Sequence, residues 1–271
     1  MNVDELRKKA NWVRNQILEM IVSANKGHIG GAFSCADILI TLYYGGILRF
    51  DPDNPHWSER DRFILSKGHS SVAVYAILAD LGFFAVSELN SFCQEGSMLG
   101  GHPDRSIPGI EADTGSLGHG LGIAAGLALS AKIDKKDYMT VALLGDGECQ
   151  EGSVWEAAMF SQQHQLNNLV VIVDRNRQGV TDFTEDSTGL EPFAEKWRGF
   201  NWDVKEINGH SFEELLGAFQ DFRSFSSPKP LVVIANTIKG KGVSFMERKL
   251  AWHHGVPTGE ELKIARRELT I

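Results

Sequence analysis

Val141-Ala142-Leu143-Leu144-Gly145-Asp146-Gly147-Glu148-Cys149-Gln150-Glu151-Gly152, followed by Leu169-Val170-Val171-Ile172-Val173-Asp174-Arg175-Asn176, decides the fold of this chain. Residues 141–144 are apolar at every position, the pattern of a strand buried on both faces, and the run breaks at Gly-Asp-Gly. Residues 154–164 read as a helix and residues 169–173 as a second, fully apolar strand. Strand, helix and strand in that order make a β-α-β unit, whose two strands run parallel and end on one edge of a sheet.

The alternation extends in both directions. Residues 62–65 predict a short strand that runs into Ser66-Lys67-Gly68-His69 and then a helix to about Leu81. Further strands are expected at 204–207 and 231–235, separated by a helix whose start has the capping-box spacing Ser211 to Glu214. Before them, Leu6, Ala10, Val13, Ile17, Met20 and Ile21 predict a long amphipathic helix to about Ser23. A second helix is expected to start near Ser34, with Asp37 in the capping-box position, and to end at Gly45 and Gly46. A final helix follows Thr258 and Glu261. The expected fold class is α/β, a mostly parallel sheet with helices on both faces. No linker or repeat divides the chain, so residues 1–271 are expected to form one domain.

Composition removes several classes of function. A net charge of −8, with no basic stripe, argues against nucleic acid as a partner. The first twenty residues mix Asp4, Glu5, Arg7, Lys8, Lys9 and Arg14 with apolar positions and so lack a signal-peptide core. No segment is apolar and long enough to span a bilayer, so no membrane partner is expected. Cys35, Cys93 and Cys149 form an odd set without metal spacing, which suits a reducing compartment and predicts the cytoplasm.

Asp146 directly follows a buried strand, so its carboxylate projects from the carboxyl edge of the sheet, where parallel sheets bind ligands. Asn176 stands thirty residues on, at the end of the next strand, and both side chains can meet one cation. A lone Gly-Asp-Gly is ordinarily a turn and nothing more. Here two strands bracket it, Glu151-Gly152 opens a helix behind it, and Asn176 follows at the matching interval. A carboxylate, an amide oxygen, a backbone carbonyl and phosphate oxygens of a ligand make an oxygen-only shell, which suits Mg²⁺ or Ca²⁺ rather than Zn²⁺.

Among the nine histidines, His28, His69, His102 and His119 stand in Gly-His pairs between predicted elements. Any one of them alone reads equally well as a surface or capping residue; gathered at a sheet edge, imidazoles can donate to an anion or exchange protons near neutral pH. Gly120-Leu121-Gly122-Ile123-Ala124-Ala125 fits the dinucleotide fingerprint, but residues 110–116 contain no apolar run to serve as its strand. Those glycines are expected to permit close helix packing instead.

The run from Gly145 to Gly152, closed by Asp174-Arg175-Asn176, resembles the thiamine diphosphate motif of the transketolase family. The resemblance implies that family's thiamine-diphosphate-binding fold, with Asp146, Asn176 and the carbonyl of Gln178 ligating Mg²⁺ or Ca²⁺ and Gly145 and Gly147 against the diphosphate. Lys26-Gly27-His28 resembles the family's first substrate-side histidine, with Ile29 where transketolases usually have proline. Leu65-Ser66-Lys67-Gly68-His69 is similar to the segment whose histidine contacts the diphosphate, and Gly101-His102-Pro103 to one that contacts substrate. In Trp252-His253-His254-Gly255 the resemblance assigns the late His-Gly, which reaches both diphosphate and substrate, to His254 rather than His253. The loop Thr114 to Gly120 resembles the aminopyrimidine-contacting segment, placing Gly115, Ser116 and Leu117 on the cofactor, with Ser116 where many members have proline. Glu151 and Glu156 match acidic positions at a subunit interface, although acidic residues also suit a first helical turn on dipole grounds alone.

The activity so implied is transfer of a two-carbon ketol unit from a ketose to an aldose, with His28, His102 and His254 positioning hydroxyls and moving protons. In the family, the glutamate that hydrogen-bonds the aminopyrimidine lies in a second domain. The chain resembles only the first part of a complete transketolase, and its Gly240-to-Met246 run and its ending resemble a natural split subunit. The implied partner is a C-terminal transketolase subunit carrying the activating glutamate, in a dimer of heterodimers, with a small sugar phosphate as substrate. A deoxyxylulose-phosphate synthase or 2-oxoacid dehydrogenase subunit has a related metal motif, but the histidine set favours transketolase. A zinc hydrolase would need His-Glu-x-x-His or comparable spacing, which is absent. Intact Asp146, Asn176, His69 and His254 speak against a non-catalytic regulatory subunit.

Overall fold

In the computed structural model, which describes residues 1–220, 223 and 227–270, the first helix is fixed by a reciprocal cap. Asn2 Oδ1 accepts from the Glu5 amide at 3.0 Å, and Glu5 Oε2 accepts from the Asn2 amide at 2.8 Å. Helix α1 (Val3–Ala24) ends at Asn25 in the left-handed conformation. Helix α2 (Ile29–Tyr44) follows, and its start departs from the expected one: it begins five residues before Ser34. Ser34 is fully buried inside the helix, and its hydroxyl donates to Gly31 O at 3.1 Å and Asp174 Oδ2 at 2.6 Å, so it does not cap. A sequence pattern cannot tell a capping hydroxyl from one claimed by a distant carboxylate.

Strand β1 (Arg62–Leu65) leads through a short 3₁₀ turn at Gly68–Ser70 into α3 (Ser71–Asp80), as expected. Next come α4 (Gly120–Ile133), β2 (Thr140–Gly145), α5 (Gly152–Gln163) and β3 (Leu169–Arg175). The chain continues through the single turn α6 (Thr184–Ser187), α7 (Phe193–Gly199), β4 (Asp203–Asn208), α8 (Phe212–Phe219), β5 (Leu231–Asn236) and α9 (Gly259–Glu268). Ser211 caps α8 as predicted, accepting from the Glu214 amide at 3.2 Å, whereas Glu214 reaches back to the Asn208 amide rather than to the cap itself.

All five strands pair in parallel, in the order β1-β2-β3-β5-β4. Alternation along each strand divides the core. Val141, Leu143, Val170, Ile172, Val233 and Ala235 face the layer with α1, α2, α3 and α8. Ala142, Leu144, Val171, Val173, Val232 and Ile234 face the layer with α4, α5 and α7. A sheet buried on both faces explains why these strands read as unbroken apolar runs. Between α1 and α2, buried Arg14 forks onto Asp37 at 2.9 and 2.8 Å. Among the described residues, no helix is long and apolar enough to cross a membrane.

Candidate active site

The carboxyl ends of β1, β2, β3 and β5 open onto one cavity of about 370 Å³, within the usual range for a small-molecule site. The β2–β3 register pairs Gly145 with Asp174, so Asp146 and Asn176 leave adjacent strand ends side by side. Asp146 is 1% exposed; its Oδ1 accepts from the Gly147 amide at 2.8 Å, and its Oδ2 accepts from the Arg177 amide and from Arg175 Nη1 at 3.1 Å. Burial pushes this carboxyl up, and the Arg175 guanidinium opposes that rise. Asn176 Oδ1 accepts from the Gln178 amide at 3.1 Å. Asp146, Asn176 and Gln178 all line the cavity. Their carboxylate, amide and carbonyl oxygens are the donor chemistry of a hard divalent cation.

Beneath these residues lies a fully buried ionic network. Lys67 donates to Asp174 and to Gly31 O at 3.0 Å. Asp174 also accepts from Ser34, Thr237 and Asn176 Nδ2, the last at 3.3 Å. Burial alone would raise the Asp174 carboxyl, but Lys67 and the hydroxyl donors hold it below its ordinary value. This network anchors Asn176 and joins α2, the β1 exit loop, β3 and the β5 exit loop.

Of the loop histidines, His28, His69 and His102 converge and His119 does not, while His254 and His253 join the three. The His28 ring lies 4.1 Å from His254, 5.4 Å from His253, 5.2 Å from His69 and 6.0 Å from His102, centroid to centroid. Glycine makes this possible at two points. A Cβ on Gly30 would stand 2.7 Å from the Trp252 carbonyl, and one on Gly115 would stand 3.2 Å from the His102 ring. Burial first, then His254 and His102 and the ammonium groups of Lys239 and Lys67, lowers His28 to about 4. Burial, with Lys239 and neighbouring imidazoles, lowers His253 to about 3; His69 is held well below its ordinary value and His102 is lowered, again chiefly by burial. At neutral pH these four rings, His28, His69, His102 and His253, are neutral, able to donate from one nitrogen and accept at the other.

Gly115, Leu117, Gly145 and Gly147 also line the cavity, but Ser116 does not: it is exposed and faces a neighbouring surface pocket with Asp113 and His119. His119 itself is exposed, with Nδ1 3.0 Å from the Leu117 carbonyl. Glu151 reaches the cavity, whereas Glu156 lies on the exposed side of α5. Of Gly120 and Gly122, expected to permit close helix packing, Gly120 allows a close approach to the loop after β1, since a Cβ there would stand 2.5 Å from Ser66 Cβ, whereas Gly122, like Gly126 further along α4, faces open space.

Three residues go beyond the sequence reading. Lys239, 3% exposed, follows β5 and donates to Gln178 O at 3.2 Å and Gly179 O at 2.6 Å; burial and Lys67 lower its ammonium to about 8. Glu148, 2% exposed, accepts from Ser66 Oγ, from the Gly118 amide at 2.9 Å and from the Gly145 amide at 3.0 Å. His253 lies deeper than His254, its ring 5.6 Å from His69, so choosing between the two by their distance from Gly255 leaves out a ring that the cavity contains. The signal for Lys239 was available: a lysine followed by glycine, three residues past the end of a buried strand.

Comparison with known proteins agrees with this geometry. A family profile described as "Transketolase, thiamine diphosphate binding domain" matches residues 6–271. The chain is 44% identical over 270 residues to an apulose-4-phosphate transketolase subunit of Phocaeicola vulgatus, covering 100% of this chain and 95% of that one. It is 41% identical over 266 residues to the 6-deoxy-6-sulfo-D-fructose transketolase subunit SqwG of Clostridium sp. strain MSTE9, covering 98% of this chain and 96% of that one. The transketolase structure from Campylobacter jejuni superposes with a TM-score of 0.94 at 33% identity, over 99% of this chain and 43% of that longer one.

Proposed function

The chain belongs to the transketolase family and carries its thiamine diphosphate binding domain, and from that premise we propose that residues 1–271 act as one domain, the cofactor-holding subunit of a two-chain transketolase. The assembled enzyme transfers a two-carbon ketol unit from a ketose carrying a phosphate or another anionic group to an aldose. One observation carries the reading: the oxygen donors of Asp146, Asn176 and Gln178 share a single cavity with His28, His69, His102 and His254.

The residues divide by chemistry. Asp146, Asn176 and the Gln178 carbonyl hold Mg²⁺ or Ca²⁺, which balances a diphosphate against the wall where Gly145 and Gly147 leave the backbone open. His69 and the Lys239 ammonium face the same charge. Backbone groups of Gly115 and Leu117 border the cofactor's ring; exposed Ser116 contributes at most its backbone. Bound thiamine diphosphate supplies the carbon nucleophile and the electron sink for cleavage of the ketose. His28, His102 and His254 hold sugar hydroxyls and pass protons, which a neutral ring with one donor and one acceptor nitrogen, such as His28 or His102, can do without a change of net charge.

Relatives that are themselves single subunits of a transketolase are matched over nearly their whole length, which supports a second, C-terminal subunit that supplies the activating glutamate. A dimer of such heterodimers is supported by an outer face of α4 and α5 that is poor in charge. Gly122, Ile123, Gly126 and Ile133 of α4 are exposed, as are Met159 and Phe160 of α5, and a symmetric contact between copies would cover them. Three free cysteines suit a reducing cytoplasm.

Calorimetric titration of thiamine diphosphate with Mg²⁺, into this chain alone and into its mixture with the C-terminal subunit, tests the reading. We expect metal-dependent binding in the mixture that Asp146→Ala abolishes. Arg175 keeps Glu185 and Glu191 as partners at 2.8 and 2.9 Å, so that variant retains its fold. Binding of unchanged strength in Asp146→Ala rejects the assignment.

A further inference from the structure

His28, His253 and His254 meet in the cavity in a way that holding a sugar does not require. One ring nitrogen from each lies within 4.8 Å of the other two. Ring centroids of His253 and His254 are 4.6 Å apart, and both rings approach His28. His253 is 7% exposed, and its buried Nδ1 has no hydrogen-bond partner. A buried ring nitrogen without a partner is costly unless something else claims it.

We propose that these three imidazoles form a second metal site, made of nitrogen alone, that takes Zn²⁺ or a similar divalent transition ion and thereby blocks the substrate side of the cavity. Three imidazoles without a carboxylate select borderline cations such as Zn²⁺, Ni²⁺ or Cu²⁺, whereas Mg²⁺ and Ca²⁺ require oxygen. The two sites therefore sort metals by chemistry, the hard ion at Asp146 and the borderline ion at the histidines. Tetrahedral Zn–N bonds of about 2.1 Å place the nitrogens about 3.4 Å apart, so the rings must draw together by up to roughly 1.4 Å. His254 is exposed and free to make that movement. A fourth position stays open to water. Lys67 and Lys239 oppose any cation here by charge, so the ion must be one whose bonds to imidazole outweigh that repulsion. The blocking effect rests on the proposed role of His28 and His254 in holding substrate; the metal site itself does not.

The test uses the full chain with its C-terminal subunit in excess Mg²⁺, which satisfies the oxygen site. Zn²⁺ titration should show one ion per chain, and Co²⁺ in its place should give the intense visible bands of tetrahedral coordination. His253→Gln should weaken zinc binding at least about tenfold, and His254→Gln should do the same; matched circular dichroism and melting temperatures show that each variant is folded. Zinc binding absent, or unchanged in both folded variants, overturns the site. Zinc bound without competition against the ketose overturns the blocking role alone. Cofactor titration on the zinc-free wild-type pair reports separately on the transketolase reading, because it involves neither the borderline ion nor a histidine variant.

Discussion

Glu148 ties together the three loops that surround the cavity. Its carboxylate accepts from Ser66 in the β1 exit loop, from Gly118 in the loop before α4 and from Gly145 at the end of β2. Every partner is a donor, so Glu148→Gln sets an NH₂ group against at least one of them and leaves buried donors unpaired. The expected cost is about 1–3 kcal/mol, read as a fall in the urea midpoint, with weaker cofactor binding in the assembled enzyme. An unchanged midpoint together with unchanged affinity would contradict the role. At this scale the sequence was partly legible. Asp146 and Asn176 could be found because strand ends fix their interval, and the loop histidines because Gly-His recurs. Lys239 could also be found, just past a strand end; the role of Glu148 and the depth of His253 could not, because they come from partners far along the chain and from position in the cavity, which local spacing does not encode.

Among the elements, the contact of α1 with α2 depends on one buried ion pair. Arg14 on α1 forks onto Asp37 on α2, and His210, ahead of α8, brings Nδ1 to 2.7 Å from the same carboxylate. Burial alone would raise the Asp37 carboxyl, yet Arg14 and His210 hold it down at about 2. A depressed acid stabilises the fold above its unfolded value near 3.8 and loses that contribution as pH falls toward about 2. Asp37→Asn should therefore cost roughly 3–5 kcal/mol at pH 7, because it leaves Arg14 buried without its counter-charge. The gap between wild type and variant should narrow from pH 4 downward, as unfolding curves across pH would show; a constant gap would contradict the pairing. The strands were the most legible elements, since burial on both faces writes itself as apolar runs at 141–144 and 169–173. The start of α2 was not, because Ser34 lies inside the helix, where its hydroxyl meets the Gly31 carbonyl and Asp174 of β3 instead of a free first-turn amide.

For the whole molecule, the sequence supplied the layered sheet and the edge that carries the site, but an assembly does not follow from periodicity. The outer face of α4 decides between two uses of its glycines. A Cβ fits at Gly122 and Gly126 without contact, so the fold of a single chain does not need glycine there; helix propensity favours alanine by roughly 0.5–1 kcal/mol. Glycine retained on an exposed, uncharged helix face is explained if another helix approaches closely, which the proposed dimer of heterodimers provides. Ile123, 37% exposed between those glycines, is the position to test. Ile123→Asp should leave the isolated chain within about 0.5 kcal/mol of wild type, as expected for a surface change. In the assembled enzyme, a carboxylate buried against a symmetry mate that brings another carboxylate should split the assembly, and light scattering should report half the mass with cofactor binding reduced. If the mass stays whole, the α4 face is not where the copies meet, and the uncharged surface needs a different occupant.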